Sequence, residues 1–423
     1  MSKTIMTTHS HSPSPRIPYW KRYYYDYLAN FIAFLAPADA GNSYKIMSDE
    51  LGRVDDIQAR LESVKQSLPS DGRIVITQYS TLWEPILRIA SHLGMRAGDI
   101  EQNWLSRQDL ANLSYLAGLE MVKSGTKMIM PLYIPGISEL LNEYIANIWP
   151  FSKLGLFHYA VLRKPEQRIP VRQGAAHKDM PSISIVVPAR NEAGTIEKIA
   201  RELPELGKFT EIIFIEGNSR DNTWDEIQRV HTEMNGAGHG KRRILIGKQT
   251  GKGKGDAVRK GFDMATGDIL AIYDADMTVP AAEMTKFYDA IVSNKGDFIN
   301  GSRLVYPLEA EAMRVLNFFG NKFFSLAFTW ILGQPLKDTL CGTKVIWRTD
   351  YDKVIGGRVF FGDFDPFGDF DLLFGAAKLN LKIIDLPIHY KNRVYGSTNI
   401  SRWSHGWLLL KMTAFAAGKL KFV

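Results

Sequence analysis

The sequence predicts an α/β fold built on a mostly parallel sheet, and three observations carry that expectation. From residue 182 onward, short β-branched runs alternate with helix-length segments. Each run ends in a polar turn. One of them, residues 269–273, breaks off abruptly into Asp274-Ala-Asp276. Strands alternating with helices of this length imply right-handed βαβ units and parallel pairing. In extended backbone, residues two apart share a face, so Asp274 and Asp276 project together beyond the strand's carboxyl end. Open α/β sheets bind their ligands at that edge. Two carboxylates there repel, and a hard divalent cation bridging to a diphosphate relieves the repulsion. A solvated turn is the plain alternative, and three residues alone do not decide between the two.

The composition sets the frame. A chain of 423 residues has room for two or three domains, and 45% hydrophobic residues suffice for large cores. Cys341 is the one cysteine, which excludes an intrachain disulfide framework and thiolate-rich metal sites and fits a reducing compartment. The nine histidines show no paired metal spacing, so zinc is not expected. A net charge of +7 favours anionic partners such as nucleotides, phosphates or an anionic membrane surface. Residues 1–16 are rich in Ser, Thr, His and Pro without an apolar core, and read as a disordered tail, not a signal peptide. The apolar run 323–332 is too short to cross a bilayer. The expectation is a cytoplasmic protein, soluble or peripheral on the membrane.

Taken in order, residues 19–36 predict a helix, with Tyr27, Leu28, Phe31, Ile32 and Leu35 at helical spacing and Pro37 as its stop. Residues 38–49 pass directly into a strand-like run. Residues 54–68 form a charged amphipathic helix, and 73–77 a strand after the turn at 69–72. Residues 82–93 and 106–117 read as helices, the second capped by Ser106. Further strands are expected at 119–122, 127–130 and 154–162. Residues 163–181, with three prolines and many charges, have linker composition. Beyond them come strands at 182–187, 211–215, 243–246 and 269–273, with helices at 193–203, 222–234 and 254–265 between. Their carboxyl-end turns are Pro188-Ala-Arg-Asn-Glu192, Glu216-Gly-Asn-Ser-Arg-Asp221, Thr250-Gly-Lys-Gly-Lys-Gly255 and Asp274-Ala-Asp276. Four loaded turns on one sheet edge describe a nucleotide pocket.

Two resemblances refine this. Ser48-Asp49, Leu68-Pro-Ser-Asp-Gly-Arg-Ile-Val-Ile-Thr77, Trp83-Glu-Pro85, Glu101-Gln-Asn-Trp-Leu105 and Leu116-Ala-Gly-Leu-Glu120 resemble the second half of a class I S-adenosylmethionine-dependent methyltransferase. The family's first strand, its Gly-rich loop and the acidic second strand are absent, and no Gly-x-Gly occurs before residue 160. Without those glycines the backbone does not approach a cofactor closely. Residues 17–162 therefore read as a partial Rossmann-like remnant, and no S-adenosylmethionine is expected. Its surviving half-sheet would have an edge in need of cover.

The turns of residues 182–400, together with Gly301-Ser-Arg303, resemble a family 2 inverting glycosyltransferase of the GT-A fold, in its dolichol-phosphate mannose synthase-like branch. The resemblance implies a nucleoside-diphosphate sugar as donor, with Pro188, Ala189 and Glu192 holding base and ribose. It implies Glu216 on the base, where the family usually has two consecutive acids and this chain has Glu216-Gly217. Lys252 and Lys254 would cradle phosphate at a helix N-terminus. Asp274 and Asp276 would form a DXD motif for Mg²⁺ or Mn²⁺, with Asp276 the central catalytic carboxylate. Arg303 would add charge-assisted bonds to phosphate, and Arg314 is a weaker candidate of that kind. In Phe367-Gly-Asp-Phe-Asp-Leu-Leu373, Asp369 or Asp371 would be the general base for a hydroxyl acceptor. A lipid-phosphate acceptor, already anionic, needs none. Arg393 and Ser397 belong to a segment that closes over the diphosphate. Residues 401–423 mix Lys411, Lys419 and Lys421 with Trp407, Leu410, Met412 and Phe415, and no acid follows Asp385. Such a segment suits a membrane interface holding a polyprenyl phosphate, or else packs as an ordinary amphipathic helix. Methyl transfer and a non-catalytic scaffold are the competing functional readings. No nucleic acid partner is expected.

Overall fold

The computed structural model describes residues 19–37, 43–93, 103–166, 168–169, 179–236, 241–306, 315–360, 368–393, 395 and 402–423. Two sheets organise them.

The first is four-stranded, in the order β1-β2-β4-β3. Helix α1 (Tyr19–Leu35) precedes β1 (Tyr44–Ser48), followed by α2 (Ile57–Ser67), β2 (Arg73–Tyr79), α3 (Glu84–His92), α4 (Arg107–Leu116), β3 (Glu120–Lys127), the short turn α5 (Ile137–Glu139) and β4 (Phe157–Arg163). β1 and β2 are parallel, whereas β4 runs antiparallel to both its neighbours. Side chains of β2 alternate between two faces, as extended backbone requires. Val75 meets Leu28 and Phe31 of α1, while Ile74 and Ile76 join Leu61 of α2 and Leu110 of α4. Ser106 caps α4 in a reciprocal box with Asp109, as the sequence indicates.

One expected strand is wrong. Residues 127–130 do not extend: β3 ends at Lys127, and Met128 takes a left-handed φ of 64°. The Asn142 side chain takes the place of a strand neighbour there. Its Oδ1 accepts from the amides of Ile129 and Met130, each at 2.9 Å, and its Nδ2 donates to the Met130 carbonyl.

The second sheet has seven strands, in the order β11-β9-β10-β8-β5-β6-β7. Its elements are β5 (Ile183–Ala189), α6 (Ile196–Glu202), β6 (Thr210–Glu216), α7 (Thr223–Gly236), β7 (Arg242–Lys248), α8 (Lys254–Met264), β8 (Ile269–Ile272), α9 (Glu283–Val292), β9 (Phe298–Ser302), α10 (Val315–Leu332), β10 (Lys344–Trp347), α11 (Arg348–Gly356), α12 (Asp369–Lys378), β11 (Ile383–Pro387) and α13 (Arg402–Leu420). β5, β6, β7 and β8 pair in parallel, and β10 alone opposes its neighbours β8 and β9. The mostly parallel sheet expected from the alternation is therefore present. Strands with both faces covered read as continuous apolar runs. Ile183, Ile185 and Val187 face α6, α7 and α9, whereas Val186, Ile213 and Leu270 face α8, α10, α12 and α13.

A buried charge cluster joins the two sheets. Asp297, just before β9, accepts from Arg73 of β2 (2.7 Å) and from Arg168 (2.5 Å), with Arg163 of β4 at 3.2 Å. Arg168 also reaches Asp350 of α11 at 2.6 Å. Arg73 and Arg163 are each 1% exposed. Part of the expected linker is thus bolted down: Arg163 ends β4, and Arg168 lies in the cluster. On the β3 edge, Lys123 donates to the Ala377 carbonyl near the end of α12.

Candidate functional site

The carboxyl ends of β5, β6, β7 and β8 lie on one sheet edge, and the antiparallel β10 begins there, with Lys344 opposite Ile272. The loop Cys341-Gly342-Thr343 therefore arrives beside Asp274-Ala-Asp276. Its fit is close: a Cβ on Gly342 would stand 2.0 Å from Asp274 Oδ2 and 2.3 Å from Lys254 Nζ. Only the missing side chain lets backbone and carboxylate approach so nearly. Gly342→Ala is expected to displace the Asp274–Lys254 pair and lower turnover at least tenfold, while the melting temperature moves by only a few degrees. Steady-state kinetics beside a thermal melt checks this.

Each aspartate of the motif is held by a cation. Asp274 Oδ1 lies 2.6 Å from Lys254 Nζ, at the first turn of α8. Burial opposes its charge, yet Lys254, with Lys344 and Arg303 behind it, keeps the carboxyl below its ordinary range. Asp276 Oδ1 accepts from the Thr278 amide (3.1 Å) and hydroxyl (2.9 Å), closing the turn, and its Oδ2 meets Arg393 at 3.1 Å. The same guanidinium donates to Glu192 Oε1 at 2.7 Å. Arg393 thereby ties the turn after β5 to the turn after β8. The segment carrying it touches both turns: Lys391 donates its amide to the Thr278 carbonyl at 2.8 Å, and Tyr395 packs on Gly194, where a Cβ would come within 2.5 Å of its ring.

The other expected site residues divide. Pro188 and Ala189 end β5, and Ala189 O accepts from the Gly217 amide at 2.8 Å. Glu216 ends β6, buried, and accepts from the Ser219 amide at 2.5 Å. Lys252 is exposed on the glycine loop before α8. Arg303 reaches this region, but its guanidinium forms a two-point pair with Asp338, Nε to Oδ2 at 2.7 Å and Nη2 to Oδ1 at 2.8 Å. Asp338 is fully buried, and this pair fixes where the guanidinium sits. Asp371 sits between Arg259 (3.7 Å) and Arg358 (3.6 Å), in the first turn of α12. Asp369 opens that helix, its side chain outside the described part. Arg314 and Ser397 lie outside the described residues. The contact between Gly255 and Gly368, where a Cβ on the former would meet the latter's amide at 2.8 Å, escaped sequence reasoning.

Glu192 is the unusual acid. Its side chain is 6% exposed, and Oε2 has no hydrogen-bond partner. Burial, only partly countered by Arg393, pushes its pKa up from 4.5 to about 7. Between those values the folded chain holds a proton that the unfolded chain has released, so stability falls as pH rises from about 4.5 to about 7. Glu192→Gln keeps the shape and removes the titration. Its melting temperature should decline less across that window than the wild type's, and parallel slopes would refute the assignment.

The donor set suits a hard divalent cation. Two carboxylates stand together with cations already drawn to them, and Mg²⁺ commonly takes one or two carboxylates and completes its shell with phosphate oxygens and water. Among the described residues no group of three or more His, Cys, Asp or Glu could form an all-protein cage.

Comparison with known proteins adds the following. Residues 184–355 match the family described as "Glycosyl transferase family 2". The chain is 29% identical over 232 residues to Glycosyltransferase AglJ of Haloferax volcanii, covering 54% of this chain and 69% of that protein. It is 27% identical over 232 residues to the dolichyl-phosphate beta-glucosyltransferase of Saccharomyces cerevisiae, covering 49% and 66%. Among solved structures, glucosyl-3-phosphoglycerate synthase of Mycobacterium tuberculosis, in complex with Mn²⁺, uridine-diphosphate and glucosyl-3-phosphoglycerate, covers 59% of this chain and 84% of its own at 18% identity and a TM-score of 0.41.

Proposed function

We propose, from a hexosyltransferase whose residues 184–355 form a glycosyltransferase family 2 domain, that this chain moves a sugar from a nucleoside diphosphate to a lipid phosphate, with inversion and with a divalent cation. The observation that carries the reading is Arg393 joining Glu192 to Asp276, next to the Lys254–Asp274 pair. Base and ribose would lie along Pro188, Ala189, Glu192 and Glu216. Lys254 would turn from Asp274 to a donor phosphate at the N-terminus of α8, where free amides and the helix dipole also favour anions. Arg393 would lock the 391–395 segment over the donor and limit water. Asp274 and Asp276 would hold Mg²⁺ or Mn²⁺, which as a Lewis acid neutralises charge on the departing diphosphate.

A phosphate acceptor is an anion already and needs no general base. The two guanidiniums flanking Asp371 suit a place where anionic charge gathers rather than one where a carboxylate takes up a proton. The relatives named as dolichyl-phosphate enzymes support this acceptor class. A membrane-bound acceptor also accords with the basic, aromatic α13, where Trp407 is 63% exposed, although no helix among the described residues is long and apolar enough to cross a membrane. We read residues 17–162 as a methyltransferase-like remnant that now serves as a brace for the second sheet, bounded by 163–181. The experiment is a thermal-shift screen of nucleoside diphosphates with and without Mn²⁺. A ligand that binds the native state raises the melting temperature, so one base with Mn²⁺ should do so, and no response to any of them would sink the donor reading.

A further inference from the structure

Residues 132–154, between β3 and β4, are folded inside out. Ile137, Leu140, Tyr144 and Ile148, at helical spacing, are each 45–55% exposed, and Trp149 is 72% exposed. Ser138, Asn142 and Asn147 are buried instead. Their polar groups are satisfied inside. The Ser138 hydroxyl accepts from the Ile134 amide and donates to the Leu132 carbonyl, at 2.8 Å each. Asn142 Nδ2 reaches the Tyr23 hydroxyl at 3.2 Å, and Asn147 donates to the Glu143 carbonyl at 2.6 Å. A helical segment on an ordinary protein surface does the reverse, with apolar residues inward and polar residues in water. Buried polar groups beneath an exposed apolar face are the informative departure, and such a face marks an interface.

The face continues on both sides of the segment. Trp330, near the end of α10, donates its indole N–H to the Asn147 carbonyl at 2.9 Å. Its ring packs on Phe422 and that ring on Tyr144, with centres 5.6 and 5.2 Å apart. Phe323 and Leu326, both more than half exposed, share the Trp330 side of α10 by helical spacing. Helix α13, packed on α10, adds the exposed Trp407 and Leu410. On the other side, Trp83 donates its indole N–H to the Leu154 carbonyl at 2.8 Å. It leads into α3, where no residue is buried and Ile86 and Ile89 are exposed.

The charges bordering this surface indicate what covers it. Neither α10 nor α13 contains an acidic residue. Lys322, Lys411 and Lys419 are exposed on these helices, and Lys153 on the segment itself. Lys411 stands 5.7 Å from the Trp407 ring centre. The acids of the segment, Glu139 and Glu143, are half-buried, and the one acid of α3, Glu84, pairs with Arg88 at 2.7 Å. Protein–protein interfaces are depleted in lysine. An anionic bilayer favours what is present here: tryptophan rings and aliphatic side chains for the headgroup boundary, edged by lysines whose ammonium groups meet lipid phosphates.

We propose that residues 132–154, with α3 on one side and α10 and α13 on the other, form a docking face for an anionic lipid bilayer. The N-terminal region then serves as an anchor that keeps the neighbouring domain at the membrane surface. This goes beyond the lipid-acceptor reading and does not rest on it, because docking needs neither donor, cation nor acceptor.

Co-sedimentation of the full chain with phosphatidylcholine vesicles, with and without phosphatidylglycerol, tests the face. Wild type should bind the anionic vesicles several-fold more than the neutral ones. Leu140→Ser/Trp149→Ser removes two exposed side chains and should lower that binding at least about tenfold, with a melting temperature within a few degrees of wild type. Asp276→Asn should bind as wild type does, which separates docking from the donor site. Hydrogen exchange read by mass spectrometry requires no variant: amides of residues 132–154 should exchange several-fold more slowly on anionic vesicles than in solution. A second copy of the chain as occupant would give a dimer in light scattering, lost in the double variant, and no vesicle binding. That result overturns the proposal. So does equal vesicle binding by wild type and the folded double variant, or unchanged exchange of residues 132–154 in the vesicle-bound chain.

Discussion

Asp276→Asn should lower sugar-transfer turnover at least about a thousandfold and leave the fold intact. A cation bound at developing diphosphate charge supplies several kcal/mol of stabilisation, and each ~1.4 kcal/mol is a factor of ten in rate. Asparagine keeps the Oδ1 that accepts from the Thr278 amide and hydroxyl, so the turn after β8 survives. Arg393 retains Glu192 at 2.7 Å. What disappears is one negative charge at the strand end. Asp276 is a cleaner target than Asp274, whose loss would also release Lys254. Turnover measured with the donor found in the nucleotide screen, beside a thermal melt, decides the matter. Activity above a tenth of wild type in a folded variant would remove Asp276 from the cation site.

The second large effect is on stability and lies far from that edge. Asp297→Asn should destabilise the chain by about 3–5 kcal/mol, the usual result of removing one partner from a buried ion pair. Asp297 is 2% exposed, and Arg73, Arg163 and Arg168 converge on it. Its Oδ2 also accepts from the Lys382 amide at 2.7 Å, at the start of β11. Burial opposes its charge, but Arg73, then Arg168 and Arg163, hold the carboxyl well below the usual range. A carboxylate depressed in this way stabilises the fold above its unfolded pKa, and the contribution is lost as pH falls through the lower folded value. The wild type should therefore keep this contribution at pH 5, and the variant should lack it throughout. Losing so much from a total of about 5–15 kcal/mol should be plain in a denaturant titration. A change below 1 kcal/mol would mean that the cluster does not join the two sheets energetically.

These two residues mark where local reading succeeds and where it stops. Asp274-Ala-Asp276 stood out because an apolar run ending in acids, at the two-residue period of a strand, is a local pattern. The same kind of pattern located β5 to β8, the helices between them and the Ser106 cap. Nothing local marks Asp297. Arg73, its partner, is 224 residues away, and the linker composition of 163–181 concealed that Arg163 and Arg168 are buried in the same cluster. Likewise nothing local shows that Asp338, 35 residues on, pairs with the Arg303 guanidinium.

The sequence by itself determined the order of strands and helices after residue 182, the shared edge of their loaded turns and the carboxylate pair, because periodicity and turn chemistry act between near neighbours. Only the tertiary structure decided what faces those carboxylates. Arg393 reaches Asp276 across 117 residues and Glu192 across 201. Gly342 reaches Asp274 because β10 enters the sheet against the direction of its neighbours. Such contacts follow from which strands lie side by side, and that is settled by the packing of whole helix and sheet faces, a sum over residues remote in sequence.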